Sequence, residues 1–345
     1  MRILFMVGNG FDINCGIRSS YRQFFDWYCT TESEKQHIAD FKAEIAKNGE
    51  NWSDFEYALG QYTAKFTKDT IQDFIDCYED AHEKLIEYLE KEIDRFDYEL
   101  MPEQIVSLKH GLLNFYNELS PKERTDIITL INGDRGNDSF IKFVSFNYTN
   151  TLDKCIEQIS EGPLKTWRYN TENRSMTIEQ YITHVHGTLS EFPIFGVNDS
   201  HQIANQDLLS DARFRSIMIK PESVKAIGHL WHDDFITQIH NSKIICIFGM
   251  SMGFTDSVWF ERVLDWLQKD GSRQLLLYRH VKNPSNRRSI WLHVSHEQEA
   301  KKLITDYSDL PQAKIDELDK RIHVIENTKD VLQVKLRMKD HEIIP

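Results

Sequence analysis

The segment Thr183-His184-Val185-His186-Gly187 sets two imidazoles one residue apart and ends on a glycine. In an extended strand alternate residues face the same way, so His184 and His186 share one side. Histidine titrates near neutral pH, and His186, beside a glycine at a strand end, suits general-base work. A satisfied core histidine explains the residue too. A metal ligand has less support, because no carboxylate stands nearby at ligand spacing. Gly8-Asn9-Gly10-Phe11-Asp12 suggests a second chemistry. Glycines let backbone approach a phosphate, and a following helix N-terminus offers free N–H groups. A tight turn accounts for the same glycines. Asp12 reads as a helix cap or as a contact to a sugar hydroxyl.

Three further segments have comparable content. Ser145-Phe146-Asn147-Tyr148-Thr149-Asn150-Thr151 puts a neutral donor and acceptor, Asn147, at a strand tip before LDKCIEQI; an Asn or Thr helix cap fits it equally well. Gly249-Met250-Ser251-Met252-Gly253-Phe254-Thr255-Asp256 matches the G-x-S-x-G elbow of hydrolases, with His280, His293, His296 and His323 downstream. An elbow serine runs straight into a helix, whereas here Gly253 and Thr255-Asp256 read as a later helix start, so a phosphate- or ribose-binding turn fits better. In Trp52-Ser53-Asp54-Phe55-Glu56, Ser53 or Asp54 caps a helix and Trp52 packs. Glu56 is either a carboxylate delivered to a pocket or a solvated helix residue. His229 and His232 stand one helical turn apart, a zinc spacing without a recognisable third ligand. Lys220-Pro221-Glu222 reads as a loop, and Arg287-Arg288 as a solvated doublet.

Strand-like runs must carry these turns. They are ILFMV (3–7), FIKFVSF (140–146), THVHG (183–187), PIFGV (193–197), KIICIFG (243–249), RQLLLYRHV (273–281) and RIHVIE (321–326). Several are apolar throughout, the pattern of strands covered on both faces in a parallel sheet. Ligands of such sheets bind outside the carboxyl ends of the strands, where these turns would meet. Between the first two runs, Ile71, Phe74, Ile75, Tyr78, Ala81 and Leu85 recur at three- and four-residue steps, one stripe of a long amphipathic helix. Ile105, Leu108 and Leu112 continue the theme, punctuated by Pro102 and Pro121. The expected fold is α/β: a Rossmann-like, mostly parallel sheet flanked by helices, with a large helical insertion after the first strand. Residues 1–19 and 136–345 form the α/β domain, and 20–135 form the insertion, a subdomain or lid. Residues 284–300 and 305–319 read as polar surface structure, and DVLQVKL (330–336) fits a helix or a strand equally.

Composition narrows the function. The 345 residues carry a formal charge of −13, which argues against general binding to nucleic acid or to anionic membranes. The 5 cysteines are scattered and form no C-x-x-C pair, as in reduced cytosolic thiols. The first apolar run is too short for a signal peptide, and no window approaches the ~18 apolar residues of a membrane span. A cytoplasmic location is expected.

ILFMVGNGFDINCGIRSSYRQF (3–24), WSDFE (52–56), VSFNYTNTL (144–152), HVHG (184–187), IFGV (194–197) and IFGMSMGFTD (247–256) occur in that order. The series resembles AbiH-type abortive-infection proteins of bacteria, by order and spacing more than by any single motif. That resemblance implies a part in defence against bacteriophage, in which the infected cell stops growing or dies. AbiH-type proteins are similar, more distantly, to the sirtuin-like NAD-binding fold. By that likeness Gly8 and Gly10 pass a pyrophosphate, and Asn147 binds the ribose or positions water. His186, followed by Gly187, acts as general base, and Gly249 with Ser251 contacts the adenosine side. Asn9, Asp12, Thr149 and Asp256 complete the implied nucleotide-binding set. Thr149 stands where the sirtuin-like pattern has an aspartate that recognises the nicotinamide amide, and Asp12 lies close to the glycines. The implied ligand is NAD or a related nucleotide.

The implied activity is hydrolysis of the N-glycosidic bond, with Asn147 and His186 catalytic. The four-cysteine zinc module of sirtuin deacylases is absent, so deacylation is not implied, and no metal is expected. Two alternatives stay open. One is a module that binds a nucleotide or phage signal without turnover. The other is a metal-dependent nuclease in which Asp12, Glu56 and Asp256 gather beside His186. The implied partners are a nucleotide, a phage-derived trigger and a second copy of the chain; membrane and nucleic acid are not expected.

Overall fold

Ile3 to Val7 is apolar at every position because both faces of the first strand are covered. In β1 (Arg2–Val7), Ile3, Phe5 and Val7 enter one core while Leu4 and Met6 enter another. The computed structural model describes residues 1–47, 54–134, 138–160, 165–169, 172–283, 290–308 and 310–339. Trp52, Ser53, Arg287 and Arg288 lie outside the described residues.

From β1 the chain runs through α1 (Gly10–Cys15), α2 (Tyr21–Tyr28), α3 (Gln36–Lys47), α4 (Phe55–Tyr62), α5 (Ile71–Asp94), the short β2 (Phe96–Asp97), α6 (Pro102–Leu113) and α7 (Pro121–Gly133). It returns to the sheet as β3 (Ser139–Ser145), followed by α8 (Thr151–Glu157), β4 (Lys165–Tyr169) and β5 (Glu172–His184). Then come α9 (Ala212–Met218), α10 (Lys220–Ile227), α11 (Trp231–Asn241) and β6 (Ile244–Phe248). The series ends with α12 (Ser257–Lys269), β7 (Gln274–Arg279), α13 (Ile290–Thr305), α14 (Gln312–Leu318), β8 (Ile322–Glu326) and β9 (Arg337–Met338).

The main sheet has the order β4-β5-β3-β1-β6-β7-β8, parallel from β5 to β8, with β4 antiparallel at one edge. Counted along the chain, the parallel strands lie 3-2-1-4-5-6, the doubly wound Rossmann order. The winding reverses between β1 and β6, so the ligand crevice of this topology falls at their carboxyl ends.

Period-2 alternation feeds two cores. On one face Phe143, Cys246 and Leu276 join Phe11 of α1, Leu108 and Leu112 of α6, Ile127 of α7 and Cys155 of α8. On the other, Val144, Ile247 and Leu277 meet Phe235, Trp259, Phe260 and Ala300 from α11, α12 and α13. A third core ties α2, α3, α4 and α5 to the segment around Phe195, Val197, Phe214 and Met218. Residues 20–135 thus do not share one core: α6 and α7 cover the sheet, while α2–α5 pack elsewhere. The helical stripe read from the sequence appears as α5, with Phe74, Ile75, Tyr78, Ala81 and Leu85 buried. Pro102 and Pro121 each open a helix, where proline's missing N–H is harmless.

Two expected strands differ. Of THVHG only Thr183 and His184 belong to a strand, the end of the longer β5, whose earlier residues are too polar to read as a covered strand; Val185 and His186 turn, so His184 and His186 do not share a strand face. PIFGV forms no strand, because Gly196 turns at φ +150° with the Met218 carbonyl where a Cβ would sit. Val197 instead makes an isolated parallel bridge with Ile219. DVLQVKL is neither helix nor strand: it turns at Val331 and Leu332, with Leu332 at φ +53°, and buries Val331, Leu332 and Val334. The polar stretches toward the C-terminus contain α13 and α14.

Candidate functional site

Every parallel strand delivers residues to one cavity of about 1020 Å³. Gly8, Asn9 and Gly10 follow β1; Asn147, Tyr148 and Thr149 follow β3; His186 follows β5; Gly249 and Ser251 follow β6; His280 follows β7; and Asn327 follows β8. Asp12 from α1, Glu56 from α4, and Asp54 and Asp256 just ahead of α4 and α12 complete the wall. The residues expected from the sequence to bind or act on a ligand therefore share one hollow.

The glycines have a local reason. A Cβ on Gly10 would lie 2.5 Å from the Gly249 Cα, and one on Gly8 would lie 2.8 Å from the Gly249 oxygen. The turns after β1 and β6 touch backbone to backbone, so the question of turn or ligand has a double answer: the glycines close the turn that forms the crevice floor. Their N–H groups are occupied, Gly8 donating to the Phe248 carbonyl at 2.9 Å and Gly10 to the Gly249 carbonyl at 2.8 Å. The Gly10→Ala variant should lose about 1–3 kcal/mol by overpacking. Gly133→Ala, with nothing within 4 Å of the new methyl, should not lose stability. Urea denaturation of the two distinguishes them.

Asp12 is 1% exposed. Thr149 Oγ1 donates to Asp12 Oδ2 at 2.6 Å. Burial pushes the Asp12 carboxyl up to about 6, against the lowering pull of the Thr149 hydroxyl and the nearby Asn147 amide. Asn147, 5% exposed, keeps both Nδ2 and Oδ1 without hydrogen-bond geometry to any described residue, as does Asp12 Oδ1. Buried polar atoms lacking partners are rare and call for an explanation. Here they border a cavity.

The Asn147 backbone is held from behind. His184 Nδ1 donates to the Asn147 carbonyl at 3.1 Å, and its Nε2 lies 3.0 Å from Asp153 Oδ2. Both ring nitrogens face acceptors, an arrangement that favours the charged imidazolium. Burial opposes that charge, but Asp153 and the Asn147 carbonyl outweigh it and raise its pKa. His184 is thus a brace for the turn.

His186 sits in a different network. Its Nε2 lies 3.5 Å from Lys220 Nζ and 3.5 Å from Asp256 Oδ1. Burial first, then the Lys220 ammonium and His232, push its pKa well below the usual value, so the ring is neutral. Lys220 is 0% exposed and donates to Glu56 Oε2 at 2.7 Å, with Asp256 Oδ1 at 3.4 Å. Burial alone would lower its pKa; Asp256 and Glu56 outweigh it and keep the amine charged. Burial raises Glu56 to about 7 despite Lys220, with Asp256 adding to the rise. Tyr148 donates to the Ile194 carbonyl at 2.9 Å and lies 3.1 Å from Glu56 Oε1. Asp54 caps α4 by accepting from Tyr57 N at 3.2 Å, and burial raises its pKa.

The loop expected at Lys220-Pro221-Glu222 is the first turn of α10. Val197 N donates to the Met218 carbonyl and Lys220 N to the Val197 carbonyl, each at 2.8 Å, which draws Lys220 behind Glu56. Its only sequence signal was a lysine following Ile217-Met218-Ile219. Glu56 is buried rather than solvated. The helix after Ser251 begins at Ser257, beyond the short turn Phe254–Asp256, so no helix N-terminus backs that serine as an elbow requires. His229 precedes α11 and stacks on Trp231 with centroids 4.1 Å apart, while His232 lies against Trp259. Among the described residues no group of three or more His, Cys, Asp and Glu side chains is placed to hold a metal. Lys220 joins Glu56 to Asp256, and Asp12 pairs with Thr149.

Fold and site together define a doubly wound α/β protein with a large cavity at its topological switch point. The chain belongs to the AbiH family: the family model, described as bacteriophage abortive infection AbiH, matches residues 4–278. It is thus an abortive-infection protein of anti-phage defence. No curated protein matches it. No helix among the described residues is long and apolar enough to cross a membrane.

Proposed function

We propose that this chain acts in phage defence by binding NAD or a related nucleotide in the switch-point cavity and hydrolysing its N-glycosidic bond. The observation that carries the reading is that Asn147 and Asp12, buried and close enough for the amide to lower the carboxyl's pKa, leave side-chain atoms without full hydrogen-bond geometry in the crevice where doubly wound folds hold nucleotides. An amide and a carboxylate oxygen side by side suit the donor and acceptor needs of a ribose diol and a water. The carboxylates of Asp54, Glu56 and Asp256 give the neighbouring wall negative character. That wall would stabilise the positive charge that develops on ribose as nicotinamide departs. His186 is neutral, as a general base must be, although the burial and the Lys220 ammonium that keep it so also weaken its basicity. One observation favours binding without turnover instead: its Nε2 is turned toward Lys220 and Asp256.

The Asn147→Ala variant should release nicotinamide from NAD about 10²–10⁴ times more slowly than the parent, the usual scale for losing a positioning group at the reacting centre, with an unchanged melting temperature. Chromatography of the products measures it. Parental rates from Asn147→Ala would remove the residue from the mechanism. Saturable NAD binding by the parent with no product would leave the binding module.

A further inference from the structure

The glycine turn has little to offer an anion. The N–H groups of Gly8, Gly10 and Phe11 donate to the carbonyls of Phe248, Gly249 and Gly8. Asp12, Asp54, Glu56 and Asp256 line the cavity nearby, and like charge repels phosphate. A nucleotide in this cavity must place its phosphates elsewhere.

Arg279 and Lys335 are the arginine and the lysine among the described lining residues. Arg279 ends β7 half-buried, and its guanidinium makes no hydrogen bond or ion pair with any described residue. Glu326, its register partner on β8, lies 3.2 Å from His296 Nδ1 and 3.5 Å from His293 Nδ1 instead. The strand end that carries Arg279 is fixed. Asn327 N donates to the Arg279 carbonyl at 2.7 Å. Asn327 Nδ2 donates to the Val281 carbonyl at 2.8 Å, and Val281 N donates to Asn327 Oδ1 at 2.9 Å. His280 lies between these clamps and also borders the cavity. Lys335 is held on the rim by donating to the Asn14 carbonyl.

We infer that Arg279, next to His280, is the anion subsite of this cavity and takes the phosphate or diphosphate of a nucleotide on the β7–β8 side of the switch point. A planar guanidinium without a carboxylate partner matches phosphate oxygens two at a time. The inference rests on reading the cavity as a nucleotide site, and it moves the phosphates away from the glycine turn.

Titration calorimetry of the full chain with pyrophosphate, ADP-ribose and adenosine tests it. Arg279→Gln should weaken pyrophosphate and ADP-ribose about 10–100-fold, the scale of a lost charge-assisted pair, and leave adenosine unchanged. Arg279→Lys should fall between, keeping the charge without the fork. Unchanged ADP-ribose affinity in Arg279→Gln overturns the subsite. So does an equal loss of adenosine, or a parent that binds neither pyrophosphate nor ADP-ribose. Pyrophosphate binding lost with Arg279, in a parent that never cleaves NAD, would sink the glycosidic reading alone. NAD cleavage by Arg279→Gln at the parental KM would sink the subsite alone.

Discussion

Lys220→Met destabilises the fold by about 3–5 kcal/mol at pH 8, the cost of breaking a buried ion pair by removing one partner. The residue is fully buried, and its ammonium is shared by Glu56, Asp256 and His186. Without it Glu56 would face Asp54 and Asp256 with no opposite charge between them. Glu56 can escape by taking a proton, and its pKa is already about 7. Removing the ammonium raises that pKa further, so the deficit should shrink as pH falls from 8 to 6. The Lys220→Met/Glu56→Gln pair should recover most of the loss, because it removes both charges rather than one. His186 should respond as well, since the ammonium helps hold its ring neutral. In Lys220→Met its ring nitrogens, followed by NMR, should protonate at higher pH than in the parent. Equal stability of Lys220→Met and the parent at pH 8 would mean that the cluster is hydrated and the ion pair idle.

Asp12→Asn should do the opposite. The folded-state pKa of Asp12 is raised from 3.8 to about 6, so its ionised form is penalised in the fold. The native chain binds that proton more tightly than the unfolded chain between these values, so this group adds stability as pH falls through the window and costs stability above it. At pH 7 the cost is up to about 3 kcal/mol, from 1.36 kcal/mol per pKa unit. An amide escapes this cost and can still accept from the Thr149 hydroxyl. Asp12→Asn should thus be more stable than the parent at pH 7, with the advantage falling to about half at pH 5. Ligand binding should weaken, because the unpartnered Oδ1 is lost as an anionic acceptor. A gain in stability together with a loss of function marks a residue kept for a ligand. Urea denaturation at the two pH values measures the first half; a variant less stable at pH 7 than the parent would show that Asp12 is structural.

The strand-tip turns were legible because sequence pattern states them directly. Ile3–Val7 and Ile244–Phe248 are unbroken apolar runs that stop at glycine, so both the strand and its end can be read. What the glycines contact is another matter. The approach of Gly10 to Gly249 joins turns far apart in the chain and leaves no local signature. The same holds for Lys220, whose burial depends on the bridge between Val197 and Ile219. PIFGV looks like a strand because apolar content signals burial, whereas pairing depends on backbone angles that Gly196 sets aside. Arg279 is silent in sequence because its significance lies in what its neighbours do: its register partner Glu326 lies within ion-pair distance of two histidines of α13 rather than of Arg279. Local chemistry was readable, and the pairing of charges across elements was not.

The most direct test of the central claim follows the side-chain amide of Asn147 by NMR while NAD is added to the intact protein. The account predicts a saturable shift of that amide signal, because an unpartnered buried donor and acceptor would gain partners on the ribose. An Asn147 signal that stays in place while NAD demonstrably binds would put the nucleotide elsewhere and contradict the account.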